Sequence, residues 1–234
     1  LAEDNPVNQQ VAVAMLVKRG HEVHVASNGR EAVDAVRDRD YDVVLMDIQM
    51  PELDGFEATA AIRATAKGKT LPIIGLTAHA LSGERERCLS RGMTEYLAKP
   101  FKAHELFALV EASTDGAVPP APAPAPAPAA STAPPVDLEG FRQTLREAGA
   151  EEALYSIVDT FVRQGPSRLA ALAAAAASGD GPEIAKSAHL FRGAAATIGA
   201  RALADLLERV ESTARAGDVC AAQQALEPVG PGAH

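Results

Sequence analysis

Only two cysteines, Cys88 and Cys220, occur in the 234 residues. They make neither a disulfide framework nor a metal-binding spacing, so reduced thiols in a cytoplasmic protein are expected. Long apolar runs are missing as well: nothing approaches the ~18 residues needed to cross a bilayer, and no signal-peptide pattern is visible. There is no basic excess, because 22 Lys and Arg stand against 31 Asp and Glu, for a net charge of −9. That balance excludes a large nucleic-acid footprint, and the acidity is spread over both halves rather than gathered in a tail. Neither G-x-x-x-x-G-K-[ST] nor a kinase-type Gly-rich box is present, so these residues are not expected to use ATP themselves. The chain opens Leu1-Ala2-Glu3-Asp4, without an initiator Met. It reads as a piece of something longer.

What is present falls into three stretches. The length suits one or two domains, and the 47% hydrophobic content contains much Ala, which predicts modest cores. Residues 1–113 alternate strand and helix patterns. Helices are expected from Pro6 to Gly20, after Gly29, over Phe56–Ala66, over Ser82–Arg91 and over Phe101–Glu111. Strands are expected at His21–Val25, Val43–Asp47, Pro72–Leu76 and Tyr96–Ala98. This alternation implies a parallel sheet with helices on both faces. Residues 114–135 are dominated by alternating Ala and Pro, which lacks ladder donors and favours extended polyproline. At ~3.1 Å per residue, Pro119–Pro135 reaches roughly 50 Å, a semi-rigid spacer between domains. Residues 136–234 contain no convincing strand. Leu138, Phe141 and Leu145 repeat at helical intervals, as do Leu154, Ile157, Val158, Phe161 and Val162, and later Leu203, Leu206, Leu207 and Val210. An all-α antiparallel bundle is expected there.

Within the first stretch, Tyr41–Gly55 carries the strongest signal. Val43-Val44-Leu45-Met46 suits a strand buried on both faces, and it stops on Asp47. Taken alone, Asp47 serves equally well as a strand-end cap. But Glu3-Asp4, Asp47, Thr77 and Lys99 all lie at strand ends, and the carboxyl ends of parallel strands share one edge. Three carboxylates converging there would repel one another without a cation, and their oxygen ligands suit Mg²⁺. With the charge neutralised, Asp47 could attack phosphorus, while Lys99 and Thr77 suit phosphate oxygens. His21 and His24 sit on a strand far in sequence from Asp47, and no ligand role is assigned to them.

Four ordered segments, Glu3-Asp4-Asn5, L-M-D-I-Q-M-P-E-L-D-G, L-T-A-H-A and Y-L-A-K-P-F, resemble the response-regulator receiver domain in the variant found in hybrid sensor kinases. The resemblance covers essentially all of 1–113. It implies a flavodoxin-like, doubly wound five-stranded sheet of order 2-1-3-4-5 with Asp47 phosphorylated. It further implies Mg²⁺ held by Glu3, Asp4, Asp47 and the Gln49 backbone carbonyl, Thr77 and Tyr96 as a coupled switch, Lys99 as phosphate contact, and a cis Lys99–Pro100 bond. Only Leu1-Ala2 remain of the first strand, so a truncated and destabilised receiver is expected.

The second signal is Ser187–Ala200. On a helix, Phe191, Ala195 and Ile198 share one face with Leu190, Ala194 and Thr197 beside it, while His189, Arg192, Gly193 and Ala196 lie on another. A His among small residues with a cation one turn away is an accessible nucleophile, and its ordinary pKa of ~6.5 leaves most of it neutral at pH 7. The string resembles the histidine phosphotransfer domain most strongly over 183–211. It implies His189 as the phosphorylated residue and places Arg192 where the family usually has Lys, a fork in place of a point charge.

Together these resemblances imply a phosphorelay. Asp47 takes a phosphoryl group from a kinase phosphohistidine upstream of the fragment, and His189 passes it to a separate response regulator. The fragment itself is expected to be cytoplasmic, with no nucleic-acid or membrane contact, whatever anchors its parent. A phosphatase with an aspartate nucleophile would carry a second Asp where Gln49 stands. A phosphorylation-independent interaction module would have no need for the intact Asp4, Asp47, Thr77, Lys99 and His189.

Overall fold

The apolar run before Asp47 folds as the strand β1 (Val44–Asp47), buried at all four positions. A computed structural model describes residues 1–78, 83–114 and 136–226. The Ala-Pro spacer and the end of L-T-A-H-A at His79-Ala80 lie outside those residues. The chain forms two compact units.

In the first unit, α1 (Pro6–Lys18) starts where proline's missing N–H costs nothing, and the Asn5 side chain caps it by accepting from Val7 N at 3.1 Å. α2 (Gly29–Asp38) is capped by Asn28, and α3 (Gly55–Arg63) by a reciprocal box between Asp54 and Glu57. β2 (Ile73–Thr77), α4 (Glu84–Ser90), β3 (Glu95–Ala98) and α5 (Ala103–Thr114) complete the alternation. β1, β2 and β3 pair in parallel in that order, with Asp47 opposite Leu76 and Thr77 opposite Ala98. Ile73, Ile74 and Leu76 are at most 1% exposed, and each such side chain contributes about 1.5–3 kcal/mol by leaving water.

The remaining two sheet positions are held by single bridges. Ala2 bridges Ala26 on one side and Met46 on the other, both in parallel. Ala2 N donates to Leu45 O and Asp47 N to Ala2 O, while Ala26 N donates to Leu1 O and Glu3 N to Ala26 O. The spatial order Ala26, Ala2, β1, β2, β3 is therefore the 2-1-3-4-5 order. The strand expected over His21–Val25 does not form a ladder. Its contacts with Leu1-Ala2 are a bond from the Leu1 ammonium to His24 O at 2.8 Å and the single parallel bridge at Ala26, and Val25 is 44% exposed.

The second unit contains α7 (Leu154–Ser178), α8 (Gly181–Thr197), α9 (Arg201–Arg215) and α10 (Val219–Leu226), with α6 (Leu138–Glu147) before them in sequence. α7 runs unbroken through Pro166. Arg163, Pro166 and Ser167 are exposed, so solvent can take the carbonyl that proline leaves without a donor. Asp180 caps α8 by accepting from Glu183 N at 3.1 Å, with Pro182 in the first turn. α8 packs against α9 and α7, and α9 against α10, around Ile157, Leu172, Ile184 and Leu207. Between α8 and α9, Gly199 has φ +78°, and a Cβ there would lie 2.6 Å from the Asp137 carbonyl oxygen. Only glycine fits that turn. No helix among the described residues is long and apolar enough to cross a membrane.

Candidate functional site

At the carboxyl edge of the sheet, β1 delivers Asp47 and β3 runs directly into Lys99. The Lys99 ammonium donates to Asp47 Oδ2 at 2.7 Å and to Glu3 Oε2 at 2.6 Å. Glu3, 1% exposed, is held by its other oxygen, which accepts from Asn5 N at 3.1 Å and Asn8 Nδ2 at 3.0 Å. Asp47 Oδ1 accepts from Gln49 N at 3.3 Å. Gly55 lets the following turn close over this point: a Cβ there would lie 2.1 Å from the Asp47 carbonyl oxygen. The Lys99–Pro100 peptide bond is cis, as the resemblance implies.

Oxygens of Glu3, Asp4 and Asp47 lie within 4.8 Å of one another. Three carboxylates against one ammonium leave an excess of two negative charges when all are ionised. A hard divalent cation with oxygen ligands fits that donor set. Without it, burial pushes the Asp47 carboxyl up to about 7; Lys99 opposes this, while Glu3 and Asp4 add to it. Burial alone would lower the Lys99 ammonium, but the Asp47 and Glu3 carboxylates outweigh it and hold Lys99 above its ordinary value.

Thr77 ends β2, buried, and its hydroxyl donates to Glu84 Oε2 at the start of α4, at a long 3.4 Å. Tyr96 pairs with Gly75, and Ala98 with Thr77, so Tyr96 and Thr77 belong to the same side of their parallel strands. Tyr96 packs partly buried against the core that includes Cys88 and Met93.

The second unit builds its site from two packed helices. His189 and Arg192 stand one turn apart on α8, and Glu211 and Arg215 one turn apart on α9. His189 Nδ1 lies 2.9 Å from Glu211 Oε1, and Arg192 Nε donates to Glu211 Oε2 at 2.7 Å. An ionised carboxylate only accepts, so Nδ1 carries the ring proton and Nε2 keeps its lone pair. In that tautomer the 3.3 Å approach of an Arg192 Nη to Nδ1 brings two donors together and is no hydrogen bond. Burial lowers the His189 imidazolium below its ordinary value, against the pull of Glu211. Glu211 would be raised by burial, but the His189 hydrogen bond and the charges of Arg192 and Arg215 hold it low.

The structure thus gathers Glu3, Asp4, Asp47, Gln49 and Lys99 at one sheet edge and sets His189 beside Arg192. Arg192 is 8% exposed, and its guanidinium pairs with Glu211, a partner that the sequence reading did not include. Glu211 and Arg215 were missed. The available signal was Glu211 itself, a charge on the face of α9 that also carries Leu207, Val210 and Ala214.

Comparison with known proteins finds two family models in the chain. The model described as response regulator receiver domain matches residues 1–111, and the Hpt domain model matches residues 156–230. Hybrid signal transduction histidine kinase I of Dictyostelium discoideum is 40% identical over 117 residues, which cover 47% of this chain and 7% of that protein. Sensor protein GacS of Pseudomonas syringae pv. syringae is 42% identical over 111 residues, covering 46% of this chain and 12% of GacS. The chain therefore spans only about a tenth of the length of these relatives. Among solved structures, the receiver domain of sensor histidine kinase PA1611 from Pseudomonas aeruginosa PAO1, with magnesium coordinated in its active-site cleft, is 48% identical. The match covers 49% of this chain and 93% of that one, with a TM-score of 0.46.

Proposed function

This chain belongs to the response regulator receiver family over residues 1–111 and to the Hpt family over residues 156–230, and from that premise we propose that it carries two successive stations of a phosphorelay. The receiver is residues 1–113, the Ala-Pro stretch 114–135 is a spacer, and 136–234 is the phosphotransfer domain. Asp47 accepts a phosphoryl group from a kinase phosphohistidine, and His189 takes it from Asp47 and gives it to an aspartate on a separate response regulator. The relay runs in the cytoplasm, where Cys88 and Cys220 stay reduced.

The reading is carried by one observation: a single chain holds a buried Asp47 paired with Lys99 and a His189 whose Nδ1 is occupied by Glu211. Mg²⁺ held by Glu3, Asp4, Asp47 and the Gln49 carbonyl would neutralise the carboxylates facing the phosphoryl oxygens. Lys99, fixed between Asp47 and Glu3, aligns the nucleophilic carboxylate and offers its ammonium to those oxygens. Thr77 exchanges its long bond to Glu84 for a phosphoryl oxygen, and Tyr96 follows it as the second half of the switch. In the second step the His189 Nε2 lone pair attacks phosphorus, the bond to the Asp47 oxygen breaks, and its electron pair remains on the carboxylate. The Nδ1 proton stays on the ring, facing Glu211. Tethering by the spacer keeps the two stations at high effective concentration.

The test supplies acetyl phosphate and Mg²⁺ to the full chain. Acid-labile label is expected on His189, and none on His189 in an Asp47→Asn variant. Equal labelling of His189 without Asp47 would overturn the relay order.

A further inference from the structure

Glu211 has three partners, and two of them share one atom. Its Oε2 takes Arg192 Nε, while Oε1 takes both His189 Nδ1 at 2.9 Å and the Arg215 guanidinium at 2.7 Å. Arg192 is buried between the helices, whereas the Arg215 side chain is 42% exposed. Two neighbouring cations have partners of their own. Arg168 on α7 donates to Leu190 O and Gln164, and Lys186, one turn back on α8, stands 4.0 Å from Glu183. Imidazole and Arg215 guanidinium therefore meet through a single carboxylate oxygen.

Taking His189 as the phosphoacceptor, we propose that Arg215 is a positioning residue for phosphoryl transfer. Its guanidinium keeps the Glu211 carboxylate ionised, aimed at Nδ1 and weakly basic, so that Nε2 is the nucleophile and the ring keeps its Nδ1 proton. The balance of the step shows why this matters. Nε2 forms the bond to phosphorus, the donor's P–O bond breaks, and the donor oxygen leaves with the electron pair. The ring then carries phosphoryl on Nε2 and a proton on Nδ1. A more basic carboxylate at that distance would take the proton, and onward transfer would have to expel an imidazolate anion. With the proton retained, the leaving group is neutral imidazole, and the P–N bond stays reactive. The same guanidinium offsets repulsion between Glu211 and the arriving phosphoryl group.

The experiment follows the His189 ring resonance against pH in the full chain, assigned with His189→Gln, and measures His189 labelling by phosphoramidate at pH 7. Loss of a cation beside the imidazole favours its protonated form. In Arg215→Ala the titration midpoint should therefore rise by roughly half to one pH unit, and labelling should fall about twofold. Arg215→Lys should restore both. If Arg215→Ala does not fold, Arg215→Gln gives the same comparison at near-native length. A midpoint unchanged in the charge-removing variant, with helical circular dichroism intact, overturns the proposal; so does an equal rise in Arg215→Lys. If unmodified protein takes no label on His189, the phosphoacceptor reading itself is overturned and the role of Arg215 goes with it.

Discussion

The two sites solve opposite charge problems. At the sheet edge, Glu3, Asp4 and Asp47 face a single ammonium from Lys99. Between α8 and α9, one carboxylate, Glu211, faces two guanidinium groups and a neutral imidazole. A phosphoryl group is dianionic near neutral pH. The first site repels it unless a divalent cation arrives; the second already carries a net positive charge. The proposed relay would then have one station that depends on metal and one that does not. The difference comes from the side chains alone.

Removing the metal should break the symmetry most sharply. With a chelator present, labelling of Asp47 by acetyl phosphate should drop at least ~100-fold, the scale of several kcal/mol of lost charge stabilisation. Direct labelling of His189 by phosphoramidate should continue. Parallel loss at both positions would end the contrast.

Next in size is Glu211→Ala. It strands Arg192, 8% exposed, without its carboxylate, and breaking a buried pair from one side costs about 3–5 kcal/mol. Urea denaturation should register that loss in the helical unit, while amide exchange in β1 stays unchanged.

The pH dependences should run in opposite directions. Asp47 is raised from an ordinary carboxyl to about 7, so between pH 4 and 7 the folded receiver binds a proton that the unfolded chain releases. Metal-free, its stability should fall as pH rises through that window, by on the order of 2–4 kcal/mol at most. Asp47→Asn or added Mg²⁺ should flatten the curve. His189 is lowered. In the helical unit the unfolded chain binds the proton first, so its stability should fall as pH drops below ~6.5. Hydrogen exchange at β1 and α8 amides reads the two trends in one sample.

The smallest effect is a control. Asp180→Ala removes the cap of α8 and should cost about 1 kcal/mol, without moving the His189 titration.

How far the site could be read from the chain depended on sequence distance. Asp47 and Lys99 each terminate a short buried strand, and parallel strands bring such ends to one edge whatever the packing details. His189, Gly193 and Gly199 stood out because small residues and a turn glycine mark a helix under close approach. The strand over His21–Val25 misled because alternation says nothing about whether a neighbour is there to pair with; Leu1-Ala2 meets it at His24 O and Ala26 without forming a ladder. Helical spacing put Arg192 on the His189 face but could not give the burial of that face or its pairing with Glu211.

By itself, then, the sequence determined the two kinds of fold and singled out Asp47 and His189 as the candidate reactive groups, because strand ends, caps and helical periodicity are local properties. Tertiary structure alone decided the electrostatics of each group. Lys99 reaches Glu3 across 96 positions of chain, and Glu211 reaches His189 across 22. Such pairs are selected by helix and strand packing, and no local pattern encodes which distant carboxylate a buried cation or imidazole will meet.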